Sequence, residues 1–226
     1  MATTVARARS ERGEVVLRRR EDGALELRVN GVFVMDDRET RSEELLAHAP
    51  LDAVTGVDPD GAGRPARLLV GGLGLGFTVR ALLADPRVRL VTVAEIEPAL
   101  VGWMRDGVVP SVLGDERVEV RTGDVRDVVR ACADASYDGI LLDVDNGPDF
   151  LVYDGNAAIY RSGFLAECRR VLCPGGALTV WSSTSSPALA SVLEAVFGRC
   201  VERPVPVDLQ GRDESYYVYD ARRAQS

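Results

Sequence analysis

Between Leu68 and Thr78 the chain reads LLVGGLGLGFT: an apolar run, glycines at Gly71, Gly72, Gly74 and Gly76, then a helix start. Glycine lets the backbone turn tightly and lets a ligand approach with no Cβ in the way, while a helix N-terminus offers unpaired N–H groups. The spacing is G-x-G-x-G and position 77 is Phe, so the dinucleotide fingerprint G-x-G-x-x-G is not met. A second apolar run ends in Ala94-Glu95-Ile96-Glu97. An acid about 20 residues beyond such a turn, at the neighbouring strand's edge, can accept both hydroxyls of a ribose. Strand alternation puts Glu95 and Glu97 on one face with Ile96 turned away, and Glu95 is the favoured acceptor. A third run leads into Thr122-Gly123-Asp124, where the Asp124 carboxylate can take an adenine amino group or serve as a helix N-cap. The fourth opens into LLDVDNGPD, with Asp143, Asp145 and Asp149 around Asn146. Carboxylates there can position an ammonium group and accept its proton as it becomes a nucleophile. Tyr153 and Tyr160 either wall the same pocket or pack beneath it.

These residues need a scaffold that brings strand ends together. From Ala66 onward, short apolar runs bounded by Gly and Asp alternate with amphipathic segments, as in a parallel sheet covered by helices. The expected strands are 66–70, 89–94, 118–121, 137–143 and 177–182, with a closing antiparallel pair over 200–207 and 215–220. Helices are expected at 77–83, 98–105, 125–133, 157–172 and 187–197, with Pro98 well placed as a first helical residue. The fold class is therefore α/β: a doubly wound, mostly parallel seven-stranded sheet. In such a sheet the ligand crevice lies at the strands' carboxyl ends, so Asp143 projects toward whatever Glu95 and the glycine turn hold. Before it, residues 14–35 read as a small β-meander turning at Glu21-Asp22-Gly23 and Asn30-Gly31. A short helix, Glu43 to His48, is expected to stop at Pro50, and Asp58 to Pro65 reads as a loop. This divides the chain into an N-terminal β-strand unit with its lead-in helix (1–57) and a catalytic unit (66–226).

Composition removes several classes. The 226 residues carry 27 basic and 35 acidic side chains, and every one of the basic 27 is Arg. Without lysine there is no P-loop lysine and no Schiff-base mechanism. With His48 alone, a His-rich zinc site and a Ser-His-Asp triad are both disfavoured, and no metal is expected. The net charge of −8 argues against a duplex nucleic-acid partner and suits a cationic substrate. Cys132, Cys168, Cys173 and Cys200 show no CxxC spacing and read as reduced, mostly buried thiols. MATTVARARSERGE shows no apolar signal region and no run approaches a membrane span, so a cytoplasmic setting is expected.

Taken in combination, the segments resemble the spermidine synthase-like polyamine aminopropyltransferases, which stand on the Rossmann-like fold of class I S-adenosylmethionine-dependent methyltransferases. The resemblance runs from about Val16 to Ser182. VNGVFVM followed by EELLAHAPL is similar to the family's strand, helix and "AHLPL" lead-in. LLVGGLGLG resembles its glycine turn, VAEIEP its "CEID" strand end, TGD its "GD" adenine contact, and YDGILLDVDNGP its "YDVIIVDSSDP" catalytic loop. LAECRRVLCPGGALTVWS matches the helix and "L-x-PGG" strand shared with many methyltransferases. The resemblance implies Glu95 on the ribose, Asp124 on the adenine, and Asp143 as the acid that orients or deprotonates the attacking amine. Asp145, Asn146, Asp149 and Tyr153 then face the acceptor. It also implies a homodimer or higher homo-oligomer. Departures concentrate on the amine side: Leu73, Gly74 and Leu75 replace the stretch that usually carries an amine-binding Asp. Ser42-Glu43 stands for the family's Tyr-Gln, and the second catalytic-loop acid falls on Asn146. The N-terminal sheet region reads as shortened.

A sulfonium carbon is already activated, so an enzyme acting on it needs mainly to align a nucleophile, exclude water and take up a proton. The leading expectation is a transferase using decarboxylated S-adenosylmethionine or S-adenosylmethionine to alkylate an amine or polyamine, aminopropyl transfer being the version the resemblance implies. An S-adenosylmethionine-dependent small-molecule methyltransferase is the alternative, and a catalytically silent, oligomer-forming nucleoside binder the alternative of another class.

Overall fold

The computed structural model describes residues 2–53, 65–208 and 211–225. The boundary expected at 57 and, but for Pro65, the loop over 58–65 lie outside these residues. Four strands open the chain: β1 (Thr3–Ser10), β2 (Gly13–Arg19), β3 (Leu25–Val29) and β4 (Val32–Asp36). They form an antiparallel meander in that order. Asn30 (φ 52) and Gly31 (φ 79) make the two-residue turn between β3 and β4. Both central residues need positive φ in such a type I′ turn, and Asn-Gly is the pair that tolerates it best. β1 went unread in the sequence. Its inward positions include only small Ala6 and Ala8, while Val5, Arg7 and Arg9 alternate outward, a weak strand signal at a sheet edge.

The helix α1 (Arg41–Ala53) corrects the expected stop at Pro50, for the proline lies inside it. Proline lacks an N–H, which would leave the carbonyl of Leu46 without its helical donor. The Thr179 hydroxyl fills that place, donating to Leu46 O at 3.3 Å. Gly139 completes the fit: a Cβ there would stand 2.6 Å from Pro50 Cβ, so the helix rests on the sheet at a residue with no side chain.

The remaining chain builds the expected α/β layer: β5 (Ala66–Gly71), α2 (Phe77–Leu83), β6 (Val88–Glu95), α3 (Pro98–Arg105), β7 (Val118–Thr122), α4 (Val125–Ala131) and β8 (Tyr137–Leu142). After a 3-10 segment (Asp154–Tyr160) come α5 (Ser162–Val171), β9 (Leu172–Ser182), α6 (Pro187–Phe197), β10 (Cys200–Asp208) and β11 (Asp213–Arg222). The seven-stranded sheet runs β10-β11-β9-β8-β5-β6-β7. The five strands β5 to β9 are joined by four parallel pairings, and β11 and β10 reverse at one edge. Leu68, Val70, Val91, Val93 and Leu141 bury one face, and Leu69, Ile140, Leu142, Leu178 and Val180 the other. A sheet covered on both sides reads as continuous apolar runs, which is why these strands were legible. The helix expected over 157–172 is broken at Arg161, which is extended (φ −94, ψ 153) and starts α5 afresh. Chain order reverses between β5 and β8, and the crevice at such a switch point is where open α/β sheets take ligands.

Among the described residues no helix is long and apolar enough to cross a membrane. The four cysteines are free; Cys168 alone is fully buried and the other three are half-buried, fewer buried than expected.

Candidate active site

A cleft enclosing about 1080 Å³, its open mouth included, lies at this switch point. Its floor is the glycine turn. Gly72 (φ 94) closes the turn against the β8 end, where a Cβ would stand 1.9 Å from the carbonyl oxygen of Asp143. No other residue fits. The turn ties three strand ends together: Gly72 N–H donates to Ala94 O (2.9 Å), and Asp143 N–H to Gly71 O (2.8 Å). Gly74 (φ 50) packs against the N-terminal sheet, where a Cβ would stand 2.6 Å from Met35 Sδ, the mobile end of a side chain that could shift to admit it. Gly72 and Gly74 line the cleft; Gly71 and Gly76 serve the turn without lining it. Much of the turn's N–H capacity is spent within the fold. Leu73 N–H donates to Glu95, Leu75 N–H to Met35 Sδ (3.3 Å), and Gly76 N–H to Leu73 O (2.8 Å).

Glu95 ends β6, only 4% exposed, and lines the cleft. Its Oε2 accepts from Leu73 N–H and its Oε1 from Glu97 N–H, both at 2.7 Å. Each carboxylate oxygen has two lone pairs, so this pinning orients the group and leaves acceptor capacity toward the cleft. Burial raises its pKa, opposed by the backbone donors. Glu97 and Ile96 line the cleft as well. Ile96 therefore does not turn away as alternation suggested, because the strand stops at Glu95.

Asp124 lines the cleft and is also the N-cap of α4, accepting from Arg126 N–H at 2.8 Å. Partial burial pushes its pKa up, but the Arg126 guanidinium and N–H outweigh this and hold it below the usual range. Capping and cleft lining coexist in one side chain. Gly123 lies beside it in the wall.

Asp143 follows β8 and faces the cleft, its Oδ2 accepting from the Thr78 hydroxyl at 3.0 Å. Burial raises its pKa to about 6, with the Thr78 bond opposing. A proton acceptor works best near the operating pH, and this shift moves Asp143 toward it. Asp145 is spent differently. Its Oδ1 accepts from Asn146 N–H and Val152 N–H (both 2.7 Å) and its Oδ2 from Asn156 Nδ2 (2.8 Å), which fastens the loop over the cleft. Asn146 donates through Nδ2 to Phe33 O (3.1 Å), joining that loop to β4. Asp149 is exposed and outside the cleft lining, and Tyr160 packs in the core beneath. Tyr153 does line the cleft, with the Arg12 guanidinium 3.8 Å above its ring.

Several lining residues escaped the sequence reading. Arg12, in the β1–β2 turn, stacks on Tyr153 and lies 3.7 Å from Glu97 Oε1. Leu27, Val29, Val34 and Met35 from β3 and β4 supply an apolar wall, so the N-terminal sheet is part of the cleft. Glu43 and Trp181 complete the end nearest Asp143, where β8 and β9 run side by side. The exposed His48 lies outside the cleft.

Sheet order, glycine turn and switch-point cleft together define a Rossmann-like protein of the methyltransferase type. No family model matches the chain. It is 35% identical over 174 residues to polyamine aminopropyltransferase 2 of Streptomyces coelicolor, covering 74% of this chain and 29% of that protein. It is 32% identical over 193 residues to the polyamine aminopropyltransferase of Nitrosomonas europaea, covering 79% of this chain and 53% of that one. A spermidine synthase crystallised with the transition-state analogue AdoDATO superposes with a TM-score of 0.82 at 16% identity, covering 99% of this chain and 75% of its own. The chain is spermidine synthase-like, on the Rossmann-like fold, and spans about a third and about half of the length of the two curated relatives.

Proposed function

We propose that the chain transfers the aminopropyl group of decarboxylated S-adenosylmethionine to an amine, putrescine or a related polyamine. The observation that carries this reading is the acidity of the cleft. Glu43, Asp143 and Asp145 line it along with Glu95, Glu97 and Asp124, and the one cation among the described lining residues, Arg12, is engaged with Glu97 and Tyr153. An acidic cleft suits an ammonium and leaves the carboxylate of full S-adenosylmethionine without a partner. The relatives' names, aminopropyltransferase in both cases, support the same chemistry.

In this reading Glu95 takes the ribose hydroxyls, Asp124 and Gly123 border the adenine, and Gly72 and Gly74 let the nucleoside lie against the backbone. The cleft offers carboxylate acceptors, Glu95 and Asp124 among them, where a nucleoside presents donors. Asp143 accepts the proton of the attacking amine. Asp145 and Asn146 act through the loop they hold, and Tyr153 walls the mouth. The apolar wall of β3 and β4 excludes water, which strengthens every charge interaction inside.

Methyl transfer from S-adenosylmethionine is a second reading, favoured by Gly74, where Met35 sulfur fills the space that an anionic side chain would take. Product analysis separates the two. With decarboxylated S-adenosylmethionine and putrescine, methylthioadenosine should accumulate; S-adenosylhomocysteine from S-adenosylmethionine would favour methyl transfer, and neither coproduct a silent binder. The division into an N-terminal unit (1–57) and a catalytic unit (66–226) and a cytoplasmic setting, both read from the sequence, belong to the same proposal, as does a homo-oligomer, which family resemblance implies. Light scattering tests the last.

A further inference from the structure

Glu43 stands in the first turn of α1, only 6% exposed, and lines the cleft together with Asp143. The Ser42 hydroxyl donates to its Oε2 at 2.6 Å. From the elements packed around it Glu43 faces Asp143 at the β8 end, Glu39 ahead of the helix and Tyr216 on β11, none of them cationic. The nearby Arg41 is committed to Glu39, at 2.7 and 2.9 Å. Two carboxylates sharing one low-dielectric space cannot both ionise cheaply, so their protons come off as a pair. Burial first, and the Asp143 charge second, push Glu43 up to about 7.

A further observation marks this end for a ligand. Leu142 pairs with Val180 across β8 and β9, which puts Trp181 alongside Asp143. Trp181 lines the cleft, is 7% exposed, and its buried Nε1–H has no acceptor among the described residues. A buried donor without a partner costs about 1–3 kcal/mol, a cost that a bound polar group, or a carboxylate turning toward it, removes.

We propose that Glu43 and Asp143 work as a pair: they share one proton before substrate arrives, release it when an ammonium group docks, and then take up the proton that the amine must lose to attack. The last step rests on the transfer reading above; the first two do not. In that step the docked ammonium passes one proton to the ionised pair, and its freed lone pair bonds to the sulfonium-bound carbon. The C–S bond breaks with its electrons staying on sulfur as a neutral thioether, and the product leaves as a secondary ammonium. Charge balances throughout.

The test is calorimetry of putrescine binding to the methylthioadenosine-saturated protein at pH 6.5, in buffers of different ionisation enthalpy. The wild type should release about one proton per diamine and Glu43→Gln about a quarter of one or less. No release by the wild type, or equal release by the variant, overturns the proposal. Should methylthioadenosine fail to bind, the transfer reading falls, and the pair is judged without ligand by carbon-13 NMR of the Glu43 carboxyl. Titration near pH 7, moved downward by Asp143→Asn, supports it; titration in the ordinary carboxylate range overturns it.

Discussion

Replacing Glu95 by Gln separates the two tasks the structure gives that side chain. Both of its oxygens accept buried backbone N–H groups, from Leu73 and Glu97. The amide keeps one acceptor and turns a donor toward the other N–H, so one buried donor is left unpaired. Hydrogen bonds to charged groups contribute about 1.5–3 kcal/mol each, which sets the expected loss of folding stability at about 2–3 kcal/mol. A domain of ordinary stability survives this. The same change removes a ribose acceptor, and with it about 1–3 kcal/mol of nucleoside affinity, or roughly 5- to 150-fold. Urea denaturation reads the first quantity and calorimetry with methylthioadenosine on the folded variant reads the second. Wild-type affinity with lowered stability would remove Glu95 from the ligand site and leave it a strut of the turn. Unchanged values of both would refute the hydrogen-bond geometry itself.

Asp143→Asn should leave methylthioadenosine binding near wild type and cut turnover by about 10²- to 10⁴-fold, and unchanged turnover would strip it of the proton-acceptor role. Gly72→Ala sets a Cβ 1.9 Å from the Asp143 carbonyl at φ 94, so a loss of at least about 3 kcal/mol is expected in urea melts; a neutral variant would mean the turn opens freely. Arg12→Ala loses the stack on Tyr153 and the neighbouring Glu97, and nucleoside affinity should weaken about 3- to 10-fold, with no change if Arg12 only decorates the mouth. Glu43 has its folded pKa raised by burial and by Asp143 to about 7 from 4.5. Its protonated form therefore supports the ligand-free fold below pH 4.5, and that support is lost as pH rises through about 7. The difference is at most about 3 kcal/mol. Glu43→Gln should flatten the fall in stability over that window, and an identical pH profile would refute the shift.

The parallel sheet was legible because burial on two faces writes itself as unbroken apolar runs, and α2, α3 and α6 were bounded by the glycines and prolines at their starts. Glu95, Asp124 and Asp143 were legible for a related reason: each stands at or just beyond a strand's carboxyl end, and those ends converge at the switch point. What escaped was contributed across the fold. Arg12 reaches the cleft from the turn that follows a strand whose inward positions are alanine, and Met35 arrives at Gly74 from the N-terminal sheet. Pro50 misled because its missing N–H is compensated by Thr179, far away in sequence. Asp145 looked like an acceptor-facing acid, yet its oxygens are taken by three local donors, a fact that needs coordinates rather than spacing.

Affinity for the two candidate donors tests the central claim most directly, since they differ by a single carboxylate. Placed at the acidic end formed by Glu43 and Asp143, that group meets repulsion of about 1–3 kcal/mol in a partly buried site. Calorimetry should find decarboxylated S-adenosylmethionine bound at least about tenfold more tightly than S-adenosylmethionine. Equal affinities, or the reverse order, would contradict the account.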